Sequence, residues 1–417
     1  MADHHILGFG PAAVGFFVAA DRLGRLQDLL REGVVVHEAQ GDLHSLLRTG
    51  ITYDIPSNSY ARDFIEGIAP DGVFATIHDS PLVQMFRNLD RDPVPLTMVA
   101  TLIHAMRQVI VRILSEQANC GVRFGDETEQ ITCRKDWVRL KNRAGHVDQA
   151  RTAIVATGSA PVIPTQLRIA AYANQLPLLH AEELLRPGGL KQLPKAARQF
   201  VVIGGSHSAF SVANKIATGA LIDNLRITIV HREPIRRMFL SQDDARLAGE
   251  RFDPLHDVCP TSGRVFRFQG LYTRSKDLFE QISAGQHKAI SLHKLAHNEA
   301  FEDVLADADT AIACTGYAPR LPIIHHNDGC ALEVGQNGGA VWVNHEGRLC
   351  DNDGQPLMRL YALGLGFGRK QDAFGEPSYK GAPVGLNFFQ GPDGAAICRH
   401  IQQLTRRSFA PVGKEVV

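Results

Sequence analysis

The stretch His5-Ile6-Leu7-Gly8-Phe9-Gly10-Pro11-Ala12-Ala13, followed by the apolar run Val14 to Ala20, reads as a short buried strand, a tight glycine turn and the start of a helix. A second run, Gly33-Val34-Val35-Val36-His37-Glu38, is β-branched and ends on an acid, which completes a strand–helix–strand unit. Gly8 lets the chain bend sharply, Gly10 removes a side chain where a pyrophosphate would approach the backbone, and Ala13 lets the helix lie close on its strand. Glu38 can accept hydrogen bonds from both hydroxyls of a ribose, which suits an adenosine without a 2′-phosphate. Twenty-five residues separate Ala13 from Glu38, more than such units usually hold, so a lengthened helix or loop is expected over 22–32.

The same grammar returns half-way along the chain. Phe200-Val201-Val202-Ile203 reads as a buried strand, Gly204-Gly205-Ser206-His207-Ser208-Ala209 as a phosphate turn, and Ile227-Thr228-Ile229-Val230-His231-Arg232 as the next strand. Here Arg232 stands where the first unit has its acid, with Arg236 and Arg237 close behind. A guanidinium fork matches a 2′-phosphate that a carboxylate would repel, so this unit reads as an NADPH site. Arg236 or Arg237 can hold that phosphate in place of Arg232. Ser206 replaces the middle glycine; either the backbone approach is less close or the hydroxyl itself bonds phosphate.

Two apolar strands that run into Thr-Gly frame the second unit: Ile154-Val155-Ala156-Thr157-Gly158 before it, and Ile312-Ala313-Cys314-Thr315-Gly316 after it. Pro161, Pro164, Pro319 and Pro322 follow these turns, as expected where a chain changes domain. The expected fold class is α/β, with two Rossmann-like dinucleotide-binding domains. An NADPH-binding domain over 162–318 is inserted into a discontinuous FAD-binding domain made of 1–161 and 319–417.

Composition supports a multi-domain globular chain and removes other classes. A length of 417 residues is enough for two or three domains of about 150 residues. The 44 basic and 44 acidic residues cancel, so no field steers the protein onto nucleic acid or anionic lipid. No leader pattern and no apolar stretch approaching about 18 residues is evident, which predicts a cytoplasmic protein without a membrane partner. The seven cysteines form no C-x-x-C pair and read as reduced and structural, Cys314 included. The eighteen histidines show no metal-ligand spacing, so no metal is expected. No G-x-S-x-G elbow is present, and Ser206, His207 and Ser208 fit the phosphate turn better than a hydrolase site.

In order and kind, these motifs resemble the class B flavin-dependent monooxygenases, which include the lysine/ornithine N-monooxygenases and the flavin-containing monooxygenases. Gly8-Phe9-Gly10-Pro11-Ala12-Ala13 is similar to the FAD turn of the N-hydroxylases, and Leu179-His180-Ala181-Glu182-Glu183-Leu184 to a segment that leads into their NADPH module. The stretch from Arg236-Arg237 through Asp243-Asp244 to Glu250-Arg251-Phe252-Asp253-Pro254 is also similar, with Gly249 where those enzymes usually have Asn. Ser57-Asn58-Ser59 with Asp63-Phe64 resembles a segment that sets an asparagine beside the flavin. That resemblance makes Asn58 the candidate catalytic residue; the residue-level alternative is a turn asparagine after Pro56. The tail from Tyr361 through Gly364 and Gly366 to Asn387 and Gly391 resembles the segment that covers the flavin ring.

The resemblance implies FAD and NADPH as cofactors, with Gly8, Gly10, Pro11, Ala12, Ala13, Glu38, Thr157, Gly158, Gly364 and Asn387 toward FAD. Gly204, Gly205, Ser206, Ser208, Arg232, Arg236, Thr315 and Gly316 fall toward NADPH. It also implies dioxygen as co-substrate and oxygenation of nitrogen or sulfur on a small molecule through a C4a-hydroperoxyflavin. The reacting amine must then be neutral, which a site achieves by desolvation or a proton acceptor, and water must be kept out. Asn58 can bond the activated oxygen or retained NADP⁺. The long early substrate insertion of the best-known amino-acid N-hydroxylases and the Baeyer-Villiger fingerprint are both absent. A flavin reductase passing electrons to a separate acceptor, and a non-catalytic flavin-binding interaction protein, are the alternatives; a homo-oligomer is left open.

Overall fold

The computed structural model describes residues 2–45, 53–259, 262–267, 270–296, 299–337, 340–369 and 389–408. It begins as the sequence predicts, with β1 (His4–Leu7), α1 (Pro11–Arg22) and β2 (Val34–Glu38). The extra length between them is a second short helix, Leu26–Glu32, closed by Gly33 at φ 93°. A Cβ on Gly33 would lie 2.9 Å from the Ala2 Cα, so glycine is required there both by angle and by space.

Later strands enlarge this unit. β3 (Pro56–Tyr60) and α2 (Leu96–Ser115) follow, then β4 (Gly121–Phe124) and β5 (Thr152–Val155). β6 (Leu178–His180), β7 (Gln199–Ile203), α3 (His207–Gly219), β8 (Arg226–His231), α4 (Thr273–Ser283), β9 (Ile290–Lys294) and β10 (Thr310–Ala313) come next, before β11 (Pro356–Ala362) and α5 (Pro392–Ser408).

Two sheets repeat one plan. In the first, parallel strands run β11-β5-β1-β2-β4; in the second they run β6-β10-β7-β8-β9, also parallel. In each, the strand entering the glycine turn lies central, flanked by the strand that ends on the charged residue and by the strand that runs into Thr-Gly. The first sheet draws strands from both ends of the described chain, whereas the second takes all of its strands from 178–313. β1, β2, β5 and β10 are buried along their whole length, as expected of parallel strands covered on both faces.

Helices close the layers. α1 is buried from Ala12 to Ala20 and packs against α2 and α5. Close approach to the segment leading into α5 needs Gly15, whose Cβ would fall 2.3 Å from that of Phe389. α2 buries Val99, Leu102, Ile103, Met106, Val109, Ile110, Ile113 and Leu114, the spacing of one helical face. By length and composition α2 passes as a membrane span, a feature the sequence reading did not register; its apolar face is spent on the core with α1 and β4. The four-stranded sheet Ile323–His325, Thr128–Cys133, Val138–Asn142 and Val147–Ala150 covers the other face of the first sheet, where Leu7 and Val155 meet Ile131, Val138 and Leu140.

The two segments that link the sheets pair with each other. Ser159–Pro161 and Tyr317–Pro319 form an antiparallel ribbon, Ser159 opposite Pro319 and Pro161 opposite Tyr317. The Thr157 hydroxyl donates to the Arg320 carbonyl and the Thr315 hydroxyl to the Val162 carbonyl, so each threonine ties its own linker to the other.

Candidate cofactor turns and the pocket beside Asn58

The glycines of the two turns carry different constraints. Gly8 has φ 97°, and a Cβ there would sit 2.4 Å from the Ala156 carbonyl oxygen; Gly204 has φ 143°, and a Cβ there would sit 2.3 Å from the Cys314 carbonyl oxygen. Both first glycines are therefore demanded by the neighbouring strand end of their own sheet. Gly10 is different: it caps α1 at φ −77°, an angle any residue adopts, and nothing lies within 4 Å of where its Cβ would point. The protein alone gives no reason for glycine there, whereas a phosphate lying on the α1 N-terminus does. Pro11 occupies the first turn of the helix, Ala12 and Ala13 are buried, and the Cβ of Gly364 would lie 3.5 Å from that of Ala12. The tail thus reaches the first turn.

Glu38 ends β2 almost fully buried, and its two oxygens accept the Phe9 and Gln40 backbone N–H groups at 2.7 and 2.8 Å. Each oxygen keeps a further lone pair for a ribose hydroxyl. Beside it lies Arg107 of α2, which the sequence reading missed. Its Nε donates to the Phe9 carbonyl at 2.7 Å and its guanidinium lies over the Phe9 ring, so one arginine grips the residue between Gly8 and Gly10. Burial pushes Arg107 down to about 10, against the pull of Glu38. A charged residue on an otherwise apolar helical face was the available signal. One turn earlier, the buried His104 Nδ1 has no partner among the described residues, which leaves it able to bond a ligand.

The second turn keeps this plan with altered chemistry. Ser206 caps α3 exposed at the position of Gly10, and a Cβ on Gly205 would come 3.0 Å from that of His231. Ser208 lies in the first turn of α3, half-buried. The three arginines separate. Arg236 pairs with Asp257 at 3.4 Å, and Arg237 with Glu250 at 2.6 Å and Glu280 at 3.2 Å. Arg232 is exposed, rests over the Phe301 ring at 5.0 Å, and has no carboxylate partner among the described residues.

Thr157 and Thr315 sit where their strands end against Gly8 and Gly204, with Gly158 and Gly316 next at φ 76° and 94°. Their hydroxyls serve the linker ribbon. Gly249, where the resembling enzymes usually have Asn, closes the helix Gln242–Leu247 at φ 67°, a conformation that glycine and asparagine both tolerate. His180 caps the helix Ala181–Leu185, accepting the Glu182 N–H on Nδ1 at 3.1 Å. Asn387 lies outside the described residues.

Asn58 is in β3, and its Oδ1 accepts the Ser275 hydroxyl of α4 at 3.0 Å. The residues before it are fastened to the second sheet's helices. Tyr53 donates to Glu182 at 2.9 Å, Asp54 N–H to the Leu185 carbonyl at 2.7 Å, and Lys215 bonds the Leu185 and Arg186 carbonyls with Asp54 3.7 Å away. Asn58, Ser211, Asn214, Arg274, Ser275 and Asp277 line a pocket of about 240 Å³. It offers a guanidinium, a carboxylate and neutral amides, and burial together with Glu280 raises the Asp277 carboxyl above the usual range. All seven cysteines are free, and burial pushes the Cys133 thiol up to about 12 and Cys314 further, so neither supplies a thiolate at neutral pH.

The L-lysine 6-monooxygenase/L-ornithine 5-monooxygenase family matches residues 112–259. The CMP-5'-(3-aminopropyl)phosphonate hydroxylase of Streptomyces rubellomurinus is 29% identical over 421 residues, covering 94% of this chain and 96% of that one. Among solved structures, L-lysine 6-monooxygenase from Pseudomonas syringae superposes with a TM-score of 0.55 at 17% identity, over 97% of this chain and 100% of that one. The reduced form of ornithine hydroxylase from Pseudomonas aeruginosa gives 0.57 at 15% identity, over 97% and 99%.

Proposed function

From its resemblance to the class B flavin-dependent monooxygenases, we propose that this chain is an FAD- and NADPH-dependent enzyme that oxygenates the amine nitrogen of a small anionic substrate. The observation that carries the reading is the charge contrast between two otherwise matching turns. A buried Glu38 carboxylate ends the strand beside the first turn, and the Arg232 guanidinium, without a carboxylate partner among the described residues, follows the strand beside the second. The pair fits one adenosine with free ribose hydroxyls and one with a 2′-phosphate. The proposed FAD domain is 1–161 with 319–417 and the NADPH domain 162–318, the Thr157 and Thr315 linkers being the crossings between them.

Bound FAD, once reduced by NADPH, supplies the activation of dioxygen. The chain's own part is positional. The open face of Gly10 and the α1 N-terminus would receive the FAD pyrophosphate and Glu38 its ribose, while Arg107 holds the Phe9 carbonyl. Ser206 and Ser208 would bond the second pyrophosphate. Asn58, its oxygen engaged by Ser275, would have its amide N–H groups left as donors for a ligand in the pocket it lines. The chain extends with the Streptomyces hydroxylase almost end to end, which supports a substrate whose primary amine is carried on a nucleotide-linked phosphonate. We place this enzyme in the cytoplasm, with no nucleic-acid or membrane partner.

The test is a coupled assay that offers CMP-5'-(3-aminopropyl)phosphonate, ornithine, lysine and thioethers to the yellow holoprotein. Consumption of NADPH and oxygen one for one, with a product one oxygen heavier on nitrogen, supports the proposal. NADPH oxidation that proceeds without oxygen when a carrier is added selects the reductase reading. Failure of NADPH to bleach the flavin without oxygen selects the non-catalytic one.

A further inference from the structure

A second cavity, of about 690 Å³, lies between the first sheet and its covering four-stranded sheet, lined by Ala2, Cys120 and Gly121 at the strand starts, opposite the glycine turn. Across most of this interface both walls are aliphatic: Leu7 and Val155 meet Ile131, Val138 and Leu140. At the cavity the pattern breaks. His5 of β1 and His37 of β2 point to the same face, both almost fully buried, and Asp148 of the covering sheet faces them. One nitrogen from each ring and a carboxylate oxygen lie within 4.8 Å of one another.

The geometry points to a site for one divalent cation of the zinc class, ligated by His5, His37 and Asp148, with its fourth position open to the cavity. Two imidazoles and one carboxylate with an open position are a donor set that such ions take. The supporting shell is present too. Asp126 Oδ2 accepts from His37 Nδ1 at 2.9 Å, which fixes the tautomer that presents the His37 Nε2 lone pair inward. Arg123 bonds Asp148 at 2.6 Å and orients it. Without the ion, His5 Nδ1 lies 2.7 Å from His37 Nε2 and donates to it. Ligation through His5 Nδ1 moves that proton to Nε2 of the same ring, and the two nitrogens separate to about 3.3 Å, the span of two ligand nitrogens on tetrahedral zinc.

Asp126 and Asp148 face the two rings, with the Arg123 guanidinium bonded to Asp148, and Arg139 on the wall of the same cavity. Cys120, on the same wall, is engaged by the Leu30 carbonyl and the Val34 N–H and is not part of the donor set.

The test uses tag-free full-length protein, equilibrated with Zn²⁺, passed through a desalting column and analysed for metal per chain. One equivalent is expected to remain. Binding should weaken at least a hundredfold in His37→Gln and in Asp148→Asn, and stay unchanged in His78→Gln, which removes a half-buried histidine paired with Asp79 outside the cavity lining. Loss of retained zinc from the wild type, or equal retention in all three variants, overturns the proposal. If the core variants do not fold, Co²⁺ on the wild type decides. An intense visible spectrum of tetrahedral type supports the site, and the weak spectrum of the hydrated ion refutes it.

Discussion

Arg107 reaches the carbonyl of Phe9 across 98 residues of sequence and fixes the backbone between two glycines. The contact ties the first glycine turn to the middle of a twenty-residue core helix. It also places a positive charge beside Glu38, whose carboxylate holds the Phe9 N–H from the other side. The phosphate turn is clamped by both of its peptide groups before any ligand arrives.

Replacing Arg107 by Met should keep most of the packing and remove the clamp. A hydrogen bond from a charged donor contributes about 1.5–3 kcal/mol. The expected result is a lowered melting temperature and protein that leaves a desalting column largely without yellow cofactor. Full flavin content at an unchanged melting temperature would show that the Phe9 carbonyl needs no such partner.

Gly8→Ala and Gly10→Ala should fail in different ways. At Gly8 the added methyl meets the Ala156 carbonyl oxygen at 2.4 Å with φ at 97°, so the cost falls on folding, about 1–3 kcal/mol or more. At Gly10 the methyl meets nothing and φ is ordinary, so the melting temperature of flavin-free protein should be unchanged while FAD binding weakens. Measuring both quantities on both variants checks the assignment; equal loss of stability in the two would remove the argument for a ligand over Gly10.

Asp63 gives a pH prediction with a definite sign. Its carboxylate is buried and accepts the Tyr60 N–H at 3.0 Å, and desolvation raises its pKa despite that bond and the nearby Arg264 and Arg62. Between the unfolded value and the raised folded one, the native state binds more protons than the unfolded state. This residue's contribution to stability therefore falls as pH rises through that window. Asp63→Asn keeps the acceptor and drops the charge. The difference in melting temperature between variant and wild type should move in favour of the variant from pH 4 to pH 7; a constant difference would contradict the shift.

How much of this was legible in the sequence follows from which interactions are local. The two turns, their strands and the position of the excess length between Ala13 and Glu38 are encoded by contiguous residues, and they appear in the fold in those places. Gly10 and Ser206 correspond because both units follow the same local geometry. What the sequence did not disclose are contacts closed by topology. Arg107 reads on paper as an interruption of an apolar helix, and only the crossing of α2 over the turn gives it Phe9. His5, His37 and Asp148 have no ligand spacing along the chain, because adjacent parallel strands and a covering sheet bring them together. Arg232, Arg236 and Arg237 could not be ranked from sequence, since the acids that engage the latter two lie 13 to 43 residues away.

That ranking yields the final prediction. Arg232 rests on Phe301 without a carboxylate partner among the described residues, whereas Arg237 is held between Glu250 and Glu280 and over Phe239. Arg232→Ala should raise the KM for NADPH by about tenfold to a hundredfold, the loss of one charge-assisted phosphate contact, and leave that for NADH nearly unchanged. Arg237→Ala should instead lower the melting temperature, because Glu250 is left largely buried without its cation, and should affect the two nucleotides alike. Steady-state kinetics with both nucleotides, run beside thermal unfolding of the same two variants, separates these outcomes. If Arg237→Ala is the variant that loses discrimination between NADPH and NADH, the phosphate contact belongs to the paired arginine and the ion pairs must open when the nucleotide binds.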